Sequence, residues 1–242
     1  MEWQSGQIRP HSREHLMNLT LKEILETRQV SDGRQTLPLT SFMDEKEGHL
    51  LARVVASVRP TTSLEIGFAY GVSTLFVCEA LARIGKPARH IVIDPFQFSE
   101  WKGIGLRNIR SAGYEAYLEL REQRSEIALP HLLGENTVLD MAVIDGWHTF
   151  DHALVDFFYV NKMLRIGGVI VFDDSSMPSV GKLIDHALTY GCYRIFGVPS
   201  GASLWVRRLA HLAAFKRSKW PSAIALQKIA ADARPWDWHK DF

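Results

Sequence analysis

Three carboxylates and an imidazole stand out by position. Asp145 closes the apolar run Val138–Ile144, Asp173 and Asp174 close the run Gly167–Phe172, and His148 follows Asp145 by one helical turn. If these runs are neighbouring strands they lie about 4.8 Å apart, so the terminal carboxylates converge. Such a group repels itself unless it is protonated or holds a cation. Oxygen ligation suits Mg²⁺, or Mn²⁺ or Ca²⁺, rather than zinc. Histidine, with an ordinary pKa of about 6.5, can accept a proton near neutrality. The plainer alternative is an Asx turn at Asp145, a turn cap at Asp173-Asp174 and a helix-start histidine at His148.

A second constellation precedes it. The stretch Ser63–Thr74 reads as a buried strand that ends in Glu65 and opens into Gly67-x-x-x-Gly71, with a helix starting at Val72 or Ser73. Glycines there let backbone approach a ligand, and the helix N-terminus offers free N–H groups to an anion. Asp94 ends the next strand, where a carboxylate can accept from both hydroxyls of a ribose. The glycine spacing differs from the dinucleotide fingerprint. An acid ahead of the glycines suits a cationic amine or sulfonium better than a pyrophosphate, which favours S-adenosylmethionine over NAD.

The elements that must position these groups alternate. Strands are expected at Thr62–Ile66, His90–Ile93, Ala116–Leu120, Val138–Ile144 and Gly167–Phe172. Helices are expected over 73–84, 99–112, 126–133, 150–164 and 180–190. Tyr193–Val198 and Ser203–Arg207 read as a terminal hairpin. Continuous apolar strands between amphipathic helices imply a parallel sheet covered on both faces. The expected fold is therefore α/β: a Rossmann-like, doubly wound, mostly parallel seven-stranded sheet with an antiparallel terminal hairpin. Two N-terminal helices, over 12–29 and from Asp44 to Val58, flank a polar connection. Ser41 is the expected N-cap of the second. Residues 1–58 are expected to form a lid, 60–207 the cofactor-binding core and 208–242 a helical extension, all within one domain.

Composition excludes several classes. With 242 residues and 46% hydrophobic content, the chain can fill a large core. A net charge of +1 gives no global field for nucleic acid. Two cysteines, Cys78 and Cys192, make neither a disulfide framework nor a zinc site, which points to a reducing, cytoplasmic setting. No stretch is long and apolar enough for stable membrane insertion. The basic, Trp-containing region after Arg207 suggests packing or a homo-oligomer contact.

Four motifs in order then carry a resemblance: Glu65-Ile-Gly67-Phe-Ala-Tyr-Gly71-Val-Ser73-Thr74, Ile93-Asp94-Pro95, Val143-Ile144-Asp145-Gly146-Trp147-His148, and Leu164 through Asp174. Over roughly residues 40–207 the chain resembles class I S-adenosylmethionine-dependent methyltransferases. It is similar to the branch of macrolide-sugar and other small-molecule O-methyltransferases and to the cation-dependent catechol and caffeoyl-CoA type. The resemblance implies that Gly67 and Gly71 take the methionine part of the cofactor, that Ser73 helps hold its carboxylate, that Asp94 binds the ribose and that Ser125 lies near the adenine. It implies a metal on Asp145, Asp173 and Asp174, with Asp174 where the family usually has Asn. His148 stands where the catechol type has a lysine base. Segment 40–48 resembles the part that covers the cofactor. The implied partner is a small-molecule hydroxyl acceptor. A metal-independent methyltransferase and an inactive cofactor-binding or assembly protein are the alternatives.

Overall fold

The computed structural model describes residues 17–201 and 218–242. The chain opens with α1 (Leu19–Thr27), a short hairpin of β1 (Gln29–Ser31) and β2 (Thr36–Pro38), and α2 (Glu45–Val58). Then come β3 (Thr62–Ile66), α3 (Val72–Ile84), β4 (Arg89–Ile93), α4 (Ile104–Ser111), β5 (Leu118–Arg121) and α5 (Ser125–Gly134). β6 (Leu139–Ile144), α6 (Phe150–Met163), β7 (Leu164–Phe172), α7 (Pro178–Thr189), β8 (Tyr193–Gly197) and β9 (Ile224–Lys228) complete it.

Seven strands form one sheet in the order β5-β4-β3-β6-β7-β9-β8. Pairing is parallel from β5 to β7 and antiparallel from β7 through β9 to β8. Side-chain alternation divides the core. Leu64, Ile66, Ala142, Ile144, Ile170 and Phe172 face α5, α6 and α7. Met141, Val143, Val169 and Val171 face α2 and α3. Covering both faces is what the unbroken apolar strands require. Chain order reverses direction between β3 and β6, and the strands' carboxyl ends there open the crevice in which open α/β sheets bind ligands.

Three sequence expectations change. The N-cap of α2 is Asp44, not Ser41. Asp44 accepts from the Glu47 N–H and the Glu47 carboxylate accepts from the Asp44 N–H, a reciprocal box that satisfies two otherwise free donors. The polar connection before α2 contains the β1–β2 hairpin, closed by the Asp32 carboxylate on the N–H groups of Arg34 and Gln35. The partner of β8 is β9, within the region read as a helical extension. Residues 218–242 contain no helix. Ile224 and Leu226 face one layer and Ala223 and Ala225 the other, a two-residue period that fits a strand buried on both sides. Ser203–Arg207 lies outside the described residues, as do residues 12–16 of the first expected helix.

Candidate active site

The turn after β3 is built by close contacts. Gly67 has φ +96°, and a Cβ there would lie 2.1 Å from the Asp145 carbonyl oxygen. Gly71, at φ +76°, is the N-cap residue of α3. Three side chains brace the loop between them. The Asp94 carboxylate accepts from Phe68 N (3.1 Å) and Ala69 N (2.9 Å), and its other oxygen from Phe96 N (2.8 Å). Gln97 donates to the Ala69 carbonyl (3.0 Å), and Asn108 to the Tyr70 carbonyl (2.9 Å). A carboxylate has about four acceptor positions, so Asp94 keeps capacity for a further donor.

Above this turn lies a cavity of about 460 Å³. Its wall includes Gly67, Ser73, Asp94 and Ser125 together with Asp145, His148, Asp173 and Asp174. Glu65 and Gly71 are not in the wall. Glu65 is completely buried on the α3 side of β3, accepting from Ser73 Oγ, from Thr74 Oγ1 (2.6 Å) and from His90 Nε2 (2.9 Å). Gly71 serves as hinge and helix cap. Thr40–Met43 cross the mouth, with Ser41 in the wall rather than capping α2. Sequence reasoning passed over His90, Gln97 and Asn108. A histidine inside the apolar run Arg89–Ile93 was a readable sign of a buried polar partner, whereas Gln97 and Asn108 sit in a loop and a helix with no such contrast.

The acidic side is strongly coupled. His148 Nε2 lies 2.9 Å from Asp174 Oδ2 and 3.5 Å from Asp145 Oδ1. These contacts are ion pairs to a buried nitrogen that makes no well-formed hydrogen bond. The contact with Asp145, then that with Asp174, still pushes the imidazole up to about 10. Burial raises Asp145 to about 6. Asp173 is raised well above the ordinary range by burial, then by the charges of Asp145 and Glu47. Ligand atoms of Asp145, His148 and Asp174 all fall within 4.8 Å of one another, a grouping able to hold a metal ion. Asp173 stands beside that group rather than in it. The carboxylates of Asp145 and Asp174, in a pocket where negative charge is costly, are oxygen donors of the kind a hard divalent cation takes.

Comparison with known proteins agrees with this layout. Residues 64–175 match the "Methyltransferase domain" family model. Catechol O-methyltransferase B of Danio rerio is 29% identical over 156 residues, covering 62% of this chain and 56% of the relative. The matched part thus spans about half the length of the curated relatives. The O-methyltransferase from Bacillus cereus, solved with SAH, superposes with TM-score 0.62 at 18% identity, covering 86% of this chain and 90% of that one. The Streptomyces achromogenes O-methyltransferase TomG, solved with SAM, gives TM-score 0.61 at 16% identity, covering 90% and 92%. The chain has the fold of these O-methyltransferases, and its segment 64–175 is similar in sequence to methyltransferase domains.

Proposed function

We propose that this protein transfers a methyl group from S-adenosylmethionine to a hydroxyl of a small molecule, assisted by a divalent cation. One observation carries the reading: Gly67 of the glycine turn, Asp94 and the Asp145–His148–Asp174 group all line the same cavity. Bound S-adenosylmethionine would supply an electrophilic methyl, and a bound Mg²⁺, Mn²⁺ or Ca²⁺ a Lewis acid that acidifies the acceptor hydroxyl. The Gly67–Gly71 turn would hold the methionine end, Asp94 the ribose through its remaining acceptor position, and Ser125, the first residue of α5, the adenine side. Asp145, Asp174 and the adjoining Asp173 would hold the cation. His148 would take the hydroxyl proton at Nε2, freed for that task once the carboxylates beside it are neutralised. Phe42 and Met43 line the cavity and would limit water there.

The three-atom grouping supports a second reading, in which His148 is itself a ligand and a water carries the proton away. The unpaired, buried thiols of Cys78 and Cys192 agree with work in a reducing cytoplasm. No helix among the described residues is long and apolar enough to cross a membrane. Calorimetry with S-adenosylmethionine, with and without Mg²⁺, tests the proposal. Cofactor binding should be measurable, and turnover of hydroxylated acceptors should stop with a chelator and return with added cation. Absence of cofactor binding at millimolar concentration sinks the methyltransferase reading, and chelator-insensitive turnover removes the metal.

A further inference from the structure

The chain after β9 runs back along α7 toward the acidic side of the cavity. Arg234 lies over the ring of Tyr190, just past the end of α7. Trp238 meets Tyr190 at 5.8 Å between centroids and His186 at 6.3 Å. Phe242 packs on His186 at 4.3 Å and has Lys182 Nζ over its ring at 5.1 Å. It also stacks on Phe150 at 6.2 Å, with the ring planes 16° apart. Positions 190, 186 and 182 are one turn apart on one face, so the tail follows that face back to the first turns of α7.

Phe242 therefore bridges two helices close to the ends that carry the site. Phe150 opens α6 just after His148, and Pro178 opens α7 just after Asp174. Farther along, the core joins these elements through Phe157 against Tyr190 at 5.4 Å. At the upper ends the ties are Ser179 Oγ, which donates to the His148 carbonyl, and the Phe242 ring between Phe150 and α7. His148 is thus held from the α6 start and from α7 at once. A reacting group displaced by about 1 Å already loses much of its effect.

We propose that Phe242 is a positioning residue. By wedging the start of α6 against α7, it holds the His148 ring beside Asp145 and Asp174, although it stands outside the cavity wall. The role extends the site into the tail, and the cation arm of its test rests on the reading above. Two-bond ¹H–¹⁵N NMR of the histidine rings, without added cation, supplies the first arm, with His148 assigned by its absence in His148→Gln. Phe242→Ala should shift or broaden the His148 signal, while those of His49 on α2 and His90 on β4 stay in place. Phe242→Tyr should restore it, and Trp236→Ala, whose side chain is 98% exposed, should leave it unchanged. Mn²⁺ affinity, read by EPR, should fall about three- to tenfold in Phe242→Ala, the range of one aromatic contact, and recover in Phe242→Tyr. If Phe242→Ala does not fold, Phe242→Leu, which keeps bulk without a ring, takes its place. A lower melting temperature with the His148 signal and Mn²⁺ affinity unchanged overturns the proposal and leaves Phe242 a structural anchor. Wild-type protein that binds no Mn²⁺ overturns the cation reading, and the His148 signal then decides the role of Phe242 alone.

Discussion

His148 is the residue on which the proposed chemistry turns, because its state depends on what lies between the acids around it. Without a cation, Asp145 and Asp174 raise it to about 10, so the imidazolium should persist past pH 8. Nitrogen-detected NMR titration should show that, and saturating Mg²⁺ should move the titration to lower pH as the two carboxylates are neutralised. The stability linkage has the same sign: a raised folded-state pKa gives stability that is full below about 6.5 and fades as pH rises toward about 10. Asp145→Ala should reduce turnover by at least about a hundredfold, in the range of lost general-base and positioning contributions. It should also leave the thermal midpoint within a few degrees, since the side chain faces the cavity. Matched activity and melting curves separate these outcomes. At this scale much was legible. Acids at the ends of consecutive strands can meet only if the strands are neighbours, and they are. The orientation of Glu65 was not legible, because a strand alternates faces and the motif alone does not say which face holds the ligand. The partners that claim Glu65 sit 8, 9 and 25 positions away.

Among the elements, the β3–α3 turn has least freedom. Gly67→Ala would place a methyl against the Asp145 carbonyl in a backbone conformation that L residues rarely adopt. We expect a loss of about 1–3 kcal/mol from backbone strain, with more from the clash, and a sharp fall in cofactor affinity. Urea denaturation paired with calorimetry would show both, and unchanged values would mean the turn relaxes freely. Asp44→Ala removes the capping box of α2 and should cost about 1 kcal/mol. It should also loosen residues 40–43 over the cavity, read as faster hydrogen exchange there. The strand–helix alternation was readable because each β–α unit sits in unbroken apolar runs. The β1–β2 hairpin was missed because three-residue strands carry too little alternation to register. The Ser41 cap lost to Asp44 because only Asp44 has a glutamate three residues on, long enough to reach back and complete the box.

At the scale of the molecule, the tail after β9 is pinned to α6 and α7. Asp232 accepts from Asn161 Nδ2 (3.0 Å) and pairs with Arg234, whose guanidinium lies 3.1 Å from the centroid of the Tyr190 ring. Arg234, and then Asn161, lower the Asp232 carboxyl to about 2 despite partial burial. Because this folded-state pKa is depressed, the anchoring is complete above about pH 4 and is lost as pH falls toward about 2. Emission from Trp236 and Trp238 should change over that window, and Asp232→Asn should abolish the change. Deleting everything from residue 218 onward should prevent folding rather than shorten the protein, since it takes a strand from inside the sheet.

That placement of β9 bears on biosynthesis. Among the described residues, β8 pairs only with β9, and β9 is the one partner of the outer edge of β7, whose end carries Asp173 and Asp174. A ribosome therefore releases the glycine turn, both acids and the histidine well before the strand that completes the sheet, so assembly of the candidate site must await a segment translated long after it.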